Sequence, residues 1–266
     1  AGPGTGKTQV LTARIANILL KTDTDPSAIM ALTFTESAAK NMRDRLVEMI
    51  GETGYYVHIS TFHSFCSQVI NDNPDHFSIE RDSQPLTDLE RYELYERLLD
   101  ENKFEKLKPI NAPYFYLRDI VKAVSDLKRE GVSPDEFEQM IEDEQKQFEQ
   151  EQEELTKTET RKFEKNLAKH HDLLKLYRQY QQRLRERMRF DFDDMIALVV
   201  EAFENDELFL RDYQERLHYF LVDEYQDTNT AQNKVVDLLA SYWGKNANIF
   251  VVGDPNQSIY RFQGAS

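Results

Sequence analysis

The chain has 266 residues, with 33 Lys and Arg against 48 Asp and Glu and a formal net charge of −15. That length suits one large domain or two modest ones, and the acidity runs against the overall charge expected of a nucleic-acid binder. The single cysteine, Cys66, excludes an internal disulfide and fits a cytoplasmic protein. No apolar run approaches the roughly 18–20 residues of a membrane span, and the opening AGPGTGKT lacks the basic region and apolar core of a signal peptide.

Charge location matters more than the sum. Between Asp135 and Glu154 ten acids face one base, Lys146. The remainder is nearer balance and leaves room for a local cationic groove. The chain opens without Met, inside a Gly-rich stretch that needs a strand in front of it, and closes on GAS after a loop motif. The expectation is that both ends belong to a longer polypeptide.

In chain order, residues 7–20 predict a helix with Val10, Leu11, Ile15, Ile18 and Leu19 on one face. IMALTF (29–34) is an apolar run that reads as a buried strand, and residues 36–50 read as a helix stopped by Gly51. YVHIS (56–60) predicts a strand, and the segment after Thr61 a helix. From about Leu86 to Arg189 helical spacing prevails without a strand, with Phe163, Leu167, Leu174, Tyr177, Leu184 and Met188 at intervals of three, four and seven. Within it, residues 142–154 have few apolar positions and predict a solvated helix or a mobile loop. HYFLVD (218–223) and NIFVVGD (248–254) predict two more buried strands, with a helix over 230–243 between them. Short apolar strands alternating with amphipathic helices imply an α/β fold, a parallel sheet with helices on both faces, here interrupted by an all-helical insertion. The expected divisions are 1–85 and 188–266 for the α/β part and 86–187 for the insertion.

Four clusters carry chemistry. In Gly2-Pro-Gly4-Thr5-Gly6-Lys7-Thr8, small residues let backbone N–H groups cradle phosphate oxygens at the start of a helix. Lys7 can reach the outer phosphates and the Thr8 hydroxyl can ligate Mg²⁺, with Gln9 next in the same turn. Ala1 stands where the strict phosphate-loop pattern has Gly. In Leu221-Val-Asp223-Glu224-Tyr-Gln-Asp227 an apolar strand ends in two carboxylates: Asp223 suits the metal, and Glu224 suits orienting or deprotonating a water. In Val251–Gly264 another strand runs into polar residues, from which Gln257 could reach a terminal phosphate. Tyr260 and Phe262 follow, to stack on bases or to pack into the core. The fourth cluster is Ala31-Leu-Thr33-Phe34-Thr35 with Ser60-Thr61-Phe-His63-Ser64. Both begin at strand ends on one sheet edge, where ligands bind in such folds. The hydroxyls of Thr61 and Ser64 suit phosphate contact or plain helix capping, and His63 alone would be structural.

Taken in this order, the clusters resemble the UvrD/Rep/PcrA family of superfamily 1 DNA helicases over roughly residues 1–80 and 188–266. AGPGTGKT looks like the family's motif I, ALTFTESAAKNM its Ia, ISTFHSFC its next DNA-contacting motif, LVDEYQDTN motif II and VVGDPNQSIYRFQGA motif III. FDFDDMI (190–196) also resembles the family's segment before motif II, and Ala1 matches a position where the family commonly has Ala. The resemblance implies a RecA-like P-loop NTPase fold, the first RecA-like domain (1A) split by its helical insertion (1B). It implies ATP and Mg²⁺ as cofactors and 3′–5′ movement on single-stranded DNA, with single/double-strand junctions as substrates. By position, Lys7, Thr8, Asp223, Glu224 and Gln257 match the ATP-site residues, and Arg14 a position linked to the nucleotide. Thr33 and Phe34, Thr61 and His63, and Tyr260 and Phe262 match positions along the DNA path.

Two departures stand out: Phe262 where the family usually has Trp, and Gln263 where it usually has Arg, a change that bears on coupling between ATP and DNA. The resemblance also implies an upstream adenine-recognising glutamine motif and a downstream second RecA-like domain with its arginine fingers. Without that partner domain the chain alone is expected to hydrolyse ATP poorly and not to unwind DNA. Two alternatives remain open: the motor of a RecB- or AddA-like helicase–nuclease, and a P-loop module that binds DNA or a partner without catalysis. The acidic part of the insertion is either a solvated helix or a docking surface for a partner protein.

Overall fold

The computed structural model describes residues 6–77, 84–151 and 156–254. The chain divides into two compact units, one made of residues 1–78 and 195–266, the other of residues 79–194.

The first unit is built on a parallel sheet in the order β2-β1-β5-β6. These strands are β1 (Ile29–Thr33), β2 (His58–Thr61), β5 (Tyr219–Val222) and β6 (Asn248–Val251). In register, Ala31 lies between Ile59 and Leu221, and Leu221 pairs with Phe250. Every residue of β1 is buried, which explains why the central strands read as unbroken apolar runs rather than alternating ones. Parallel neighbours cannot be joined by a tight turn. Helix α2 (Glu36–Ile50) therefore carries the chain from β1 to β2, and α10 (Thr230–Ser241) from β5 to β6.

Helix α1 (Lys7–Lys21) buries Leu11, Ile15 and Ile18. They join Met42 and Leu46 of α2 and Ile29, Ala31, Ile59 and Leu221 of the sheet in one core. Val10, expected on that face, is exposed: it falls on the outer side of the first turn. The residues that alternate with the first set, Met30, Leu32, Phe220 and Val222, are buried as well. Helices α3 (Phe62–Asp72), α8 (Asp194–Asn205) and α9 (Glu207–Arg216) meet through ring contacts of Phe65, Phe203, Phe209 and Tyr213. Cys66 of α3 is fully buried, and desolvation pushes its thiol far above the ordinary value, so it behaves as a small apolar group.

The second unit holds α4 (Asp88–Glu101), α5 (Leu117–Arg129), α6 (Pro134–Glu151) and α7 (Lys157–Glu186). Thr-x-x-Glu boxes start two of them, Thr87 with Glu90 and Thr156 with Glu159, each satisfying backbone N–H groups that the first turn leaves over. Leu94, Leu98, Ile120, Val124, Leu176, Tyr177 and Tyr180 form the main core. Leu174 faces the other way, against Phe137 and Ile141 of α6. The acidic stretch is thus helical as far as Glu151 and buries only a narrow stripe. Its outer carboxylates are exposed, with Arg178 of α7 reaching back to Asp135 and Glu138 at 2.9 and 2.6 Å. Met188, expected on the apolar face of α7, lies beyond the helix end and is exposed with φ 52°. No helix of the described residues is long and apolar enough to cross a membrane.

Two features of this unit escaped the hydrophobic pattern. One is a two-residue parallel ladder, β3 (Gln84–Pro85) with β4 (Arg189–Phe190), which ties the segment entering the helices to the segment leaving them. The other is a buried ionic cluster. Lys128 of α5, 3% exposed, sits 2.8 Å from Asp194 and 3.3 Å from Asp191. Arg129 holds Asp193 at 3.1 Å, Ser125 donates to the same carboxylate, and the Tyr180 hydroxyl donates to Asp191 at 2.8 Å. Burial alone would raise the Asp191 pKa; the Lys128 charge, with hydrogen bonds from the Asp193 backbone N–H and the Tyr180 hydroxyl, holds it below the usual carboxylate value. The acidic run of FDFDDMI is therefore an anchor for α5 and α7.

Removing one partner of such a cluster strands buried charge. Lys128→Ala is expected to destabilise the chain by about 3–5 kcal/mol, read as a fall in the urea midpoint followed by far-ultraviolet circular dichroism. A loss under about 1 kcal/mol, ordinary for a surface pair, would mean that the cluster is solvated in solution.

Candidate nucleotide-binding site

The carboxyl ends of the four strands converge on one edge of the sheet, where ligands bind in open α/β folds. Each strand leads there to a polar residue: Thr33 at the end of β1, Thr61 at the end of β2, Asp223 after β5 and Asp254 beyond β6.

The amino end of α1 comes to the same edge. Gly6 precedes the helix with φ 77°, a conformation that costs a side-chain-bearing residue strain but not glycine. The first turn then presents Lys7 and Thr8, with Gln9 exposed beside them. Lys7, only 8% exposed, pairs with Glu224 at 2.7 Å. The Thr8 hydroxyl donates to Asp223 Oδ2 at 2.8 Å. Two sequence clusters more than two hundred residues apart thus meet in two side-by-side contacts.

The two carboxylates sit in different surroundings. Asp223 is 3% exposed, and desolvation, with the adjacent Glu224 charge adding to it, raises its pKa against the hydrogen bond from Thr8. Glu224 is also raised by burial. Hydrogen bonds from Gln226 and Lys7, and the Lys7 charge, outweigh this and keep it below its ordinary value. Glu224 adopts φ 49°, ψ 44°, a left-handed conformation that costs a non-glycine residue of order 1 kcal/mol or more. Its side chain is held at both Lys7 and Gln226, which offsets that strain locally.

Thr8 Oγ1 and Asp223 Oδ2 are hard oxygen donors in direct contact, beside a buried ammonium and a helix amino end. That donor set fits Mg²⁺, which takes one or two protein oxygens and completes its shell with water and phosphate. It does not fit a soft transition metal. Among the described residues, no group of three or more His, Cys, Asp or Glu side chains forms a self-sufficient metal site.

The remaining sequence-predicted residues are placed as follows. Arg14 lies two turns along α1, exposed, with its guanidinium 6.0 Å from the centre of the Phe250 ring. Thr33 is buried and donates to the Thr35 carbonyl, and Phe34 next to it is half-buried. Thr61 caps α3, its hydroxyl accepting from the Ser64 N–H. The Thr61 and Ser64 hydroxyls also lie 2.9 and 2.5 Å from Glu36 Oε1, and they lower the pKa of that carboxyl. The Thr61 hydroxyl therefore serves both the cap and the carboxylate contact, and the Ser64 hydroxyl the carboxylate contact. His63 is half-buried in the first turn of α3. Gly2, Gly4, Thr5, Gln257, Tyr260 and Phe262, with Gln263, lie outside the described residues.

Gln226 was not singled out by residue type. Its carboxamide touches Glu224, Asp227 and the backbone of Asp254, and only the fold brings those three together.

Over residues 1–266 the chain matches the family described as UvrD/REP helicase N-terminal domain. Among its relatives are two proteins named ATP-dependent DNA helicase PcrA. That of Staphylococcus epidermidis is 36% identical over 265 residues, covering 100% of this chain and 32% of the relative. That of Staphylococcus aureus is 34% identical over 265 residues, with the same coverage. The chain thus spans about a third of the length of the curated relatives it matches. The match over its whole length makes this chain a member of the UvrD/REP helicase N-terminal domain family.

Proposed function

We propose that this chain is the ATP-binding part of an ATP-dependent DNA helicase that moves 3′–5′ on single-stranded DNA. The observation that carries the reading is the convergence of Lys7 on Glu224 and of Thr8 on Asp223 at the carboxyl edge of the sheet. The names of the staphylococcal relatives support it.

In this reading Lys7 exchanges its carboxylate partner for the outer phosphates of ATP, and the amino end of α1 adds its partial positive charge. Thr8 and Asp223 hold Mg²⁺, which when bound neutralises phosphate charge. Glu224, released from Lys7, accepts a proton from the attacking water while the Gln226 amide still donates to its carboxylate. Gly2, Gly4, Thr5, Gly6 and Gln9 complete the phosphate cradle, Gln257 contacts the terminal phosphate, and Arg14 lies towards the rest of the nucleotide. Thr33, Phe34, Thr61, His63, Tyr260 and Phe262 form the nucleic-acid path along the same edge. Residues 86–187 are the helical insertion, and the second RecA-like domain is the partner that completes the site.

The test is ATP turnover by the full-length protein with and without single-stranded DNA. Stimulation by DNA is expected, with Glu224→Gln lowering kcat by about 10²–10⁴-fold, the span of general acid–base catalysis. No turnover, or full turnover in Glu224→Gln, would remove Glu224 from the chemistry. A strand-displacement assay on duplexes with a 3′ or a 5′ tail reads the direction, and preference for a 5′ tail would reverse it.

The 266-residue chain alone is expected to turn over ATP at least about 10³-fold more slowly than the full-length protein, because arginine fingers from a second domain are worth about 10³–10⁵. DNA-stimulated turnover by the isolated chain at the full-length rate would show that the site is complete within it.

A further inference from the structure

Motif II and the turn after β6 are joined by one side chain. The ladder between β5 and β6 continues past the strands, Val252 N–H donating to the Val222 carbonyl at 2.9 Å and Tyr225 N–H to the Val252 carbonyl at 3.0 Å. This brings Gln226 over the turn at Gly253 and Asp254. Its Nε2 donates to Glu224 Oε2 at 2.7 Å and to Asp227 Oδ2 at 3.1 Å, while Oε1 accepts the Asp254 N–H at 2.8 Å. The orientation of the amide is determined by these partners: reversed, it would set an oxygen against two carboxylates and an N–H₂ against an N–H. Glu224 Oε2 also receives Lys7, so both donors converge on one oxygen and the other oxygen, Oε1, is left for chemistry. Gly253 leaves no spare room: a Cβ there would lie 2.5 Å from Gln226 Oε1 and 3.1 Å from the Gln226 backbone nitrogen.

We propose that Gln226 is a positioning residue for ATP hydrolysis, whose carboxamide aims Glu224 and ties it to the turn at Gly253–Asp254. The inference rests on the reading of Glu224 as the residue that activates water. Gly253 is the matching half of the device: its missing side chain is what lets the carboxamide sit between turn and carboxylate.

The experiment is a double-mutant cycle in the full-length protein, measuring ATP turnover with single-stranded oligodeoxythymidine. Gln226→Ala and Gly253→Ala are each expected to lower kcat at least about tenfold while moving KM for ATP less than about twofold, since the Lys7 and Thr8 contacts are untouched. The double variant is expected to be no more than about twofold slower than either single one, because without the carboxamide the 2.5 Å clash is gone and only the 3.1 Å approach to the Gln226 backbone nitrogen remains, which a shift of a few tenths of an ångström relieves. Gln226→Met keeps the bulk without the hydrogen bonds and is expected to match Gln226→Ala; it carries the test should the alanine variant not fold. Losses that multiply in the double variant, or a Gln226→Met protein with normal kcat, would overturn the proposal while leaving the helicase reading intact. A wild-type protein without DNA-stimulated turnover would overturn the helicase reading together with this proposal, and a Glu224→Gln variant as active as wild type would overturn the role of Glu224 and this proposal with it.

Discussion

The pairing of β1 with β5 is the constraint on which the rest depends. Ala31 and Leu221 are neighbours in a parallel sheet, yet the whole helical unit lies between them in sequence. Closing so long a connection costs little more than closing a shorter one, because loop entropy grows only with the logarithm of length. The connection is also not a loose loop, since β3 and β4 pair its entering and leaving segments and the helices between them bury their own core. With β1 and β5 in register, Thr33 and Asp223 arrive at one edge, and α1 presents Lys7 and Thr8 against them.

At that edge two adjacent carboxylates are driven apart in acidity by their surroundings. Asp223 is buried and lifted; Glu224 is held down by an ammonium and an amide N–H. A dication beside Asp223 would reverse its displacement, because the ion's charge outweighs desolvation. Burial thus governs one acid and its hydrogen-bond donors the other. The left-handed backbone of Glu224 belongs to the same arrangement, a strained residue held by partners on both sides.

The helical unit uses charge differently. Its buried Lys128, Asp191 and Asp193 and the half-buried Arg129 and Asp194 pair with one another. Oxygen-rich clusters of this kind invite a metal reading, but here every carboxylate already has a cation or a hydroxyl against it.

The order of motifs determined a great deal by itself. The apolar strands, the helices between them and the candidate cluster of Lys7, Thr8, Asp223 and Glu224 are legible from local spacing and residue type; β6, expected to be buried, instead leaves Ile249 and Val251 exposed, because burial at a sheet edge depends on what covers it. Composition misled only as a sum, because the acidic excess is concentrated in α6 and its neighbours. What only the tertiary structure decided are relations between segments that share no spacing. A two-residue ladder such as β3–β4 is too short to show a period. The exposure of Val10 depends on which side of the first turn of α1 meets the sheet. The commitment of Thr61 and Ser64 to Glu36, and of Gln226 to the turn at Gly253, needs strand ends brought together from distant parts of the chain. Hydrogen bonds of that kind are directional and span one side chain, so they leave no trace in a hydrophobic pattern and exist only once the sheet has placed its ends side by side.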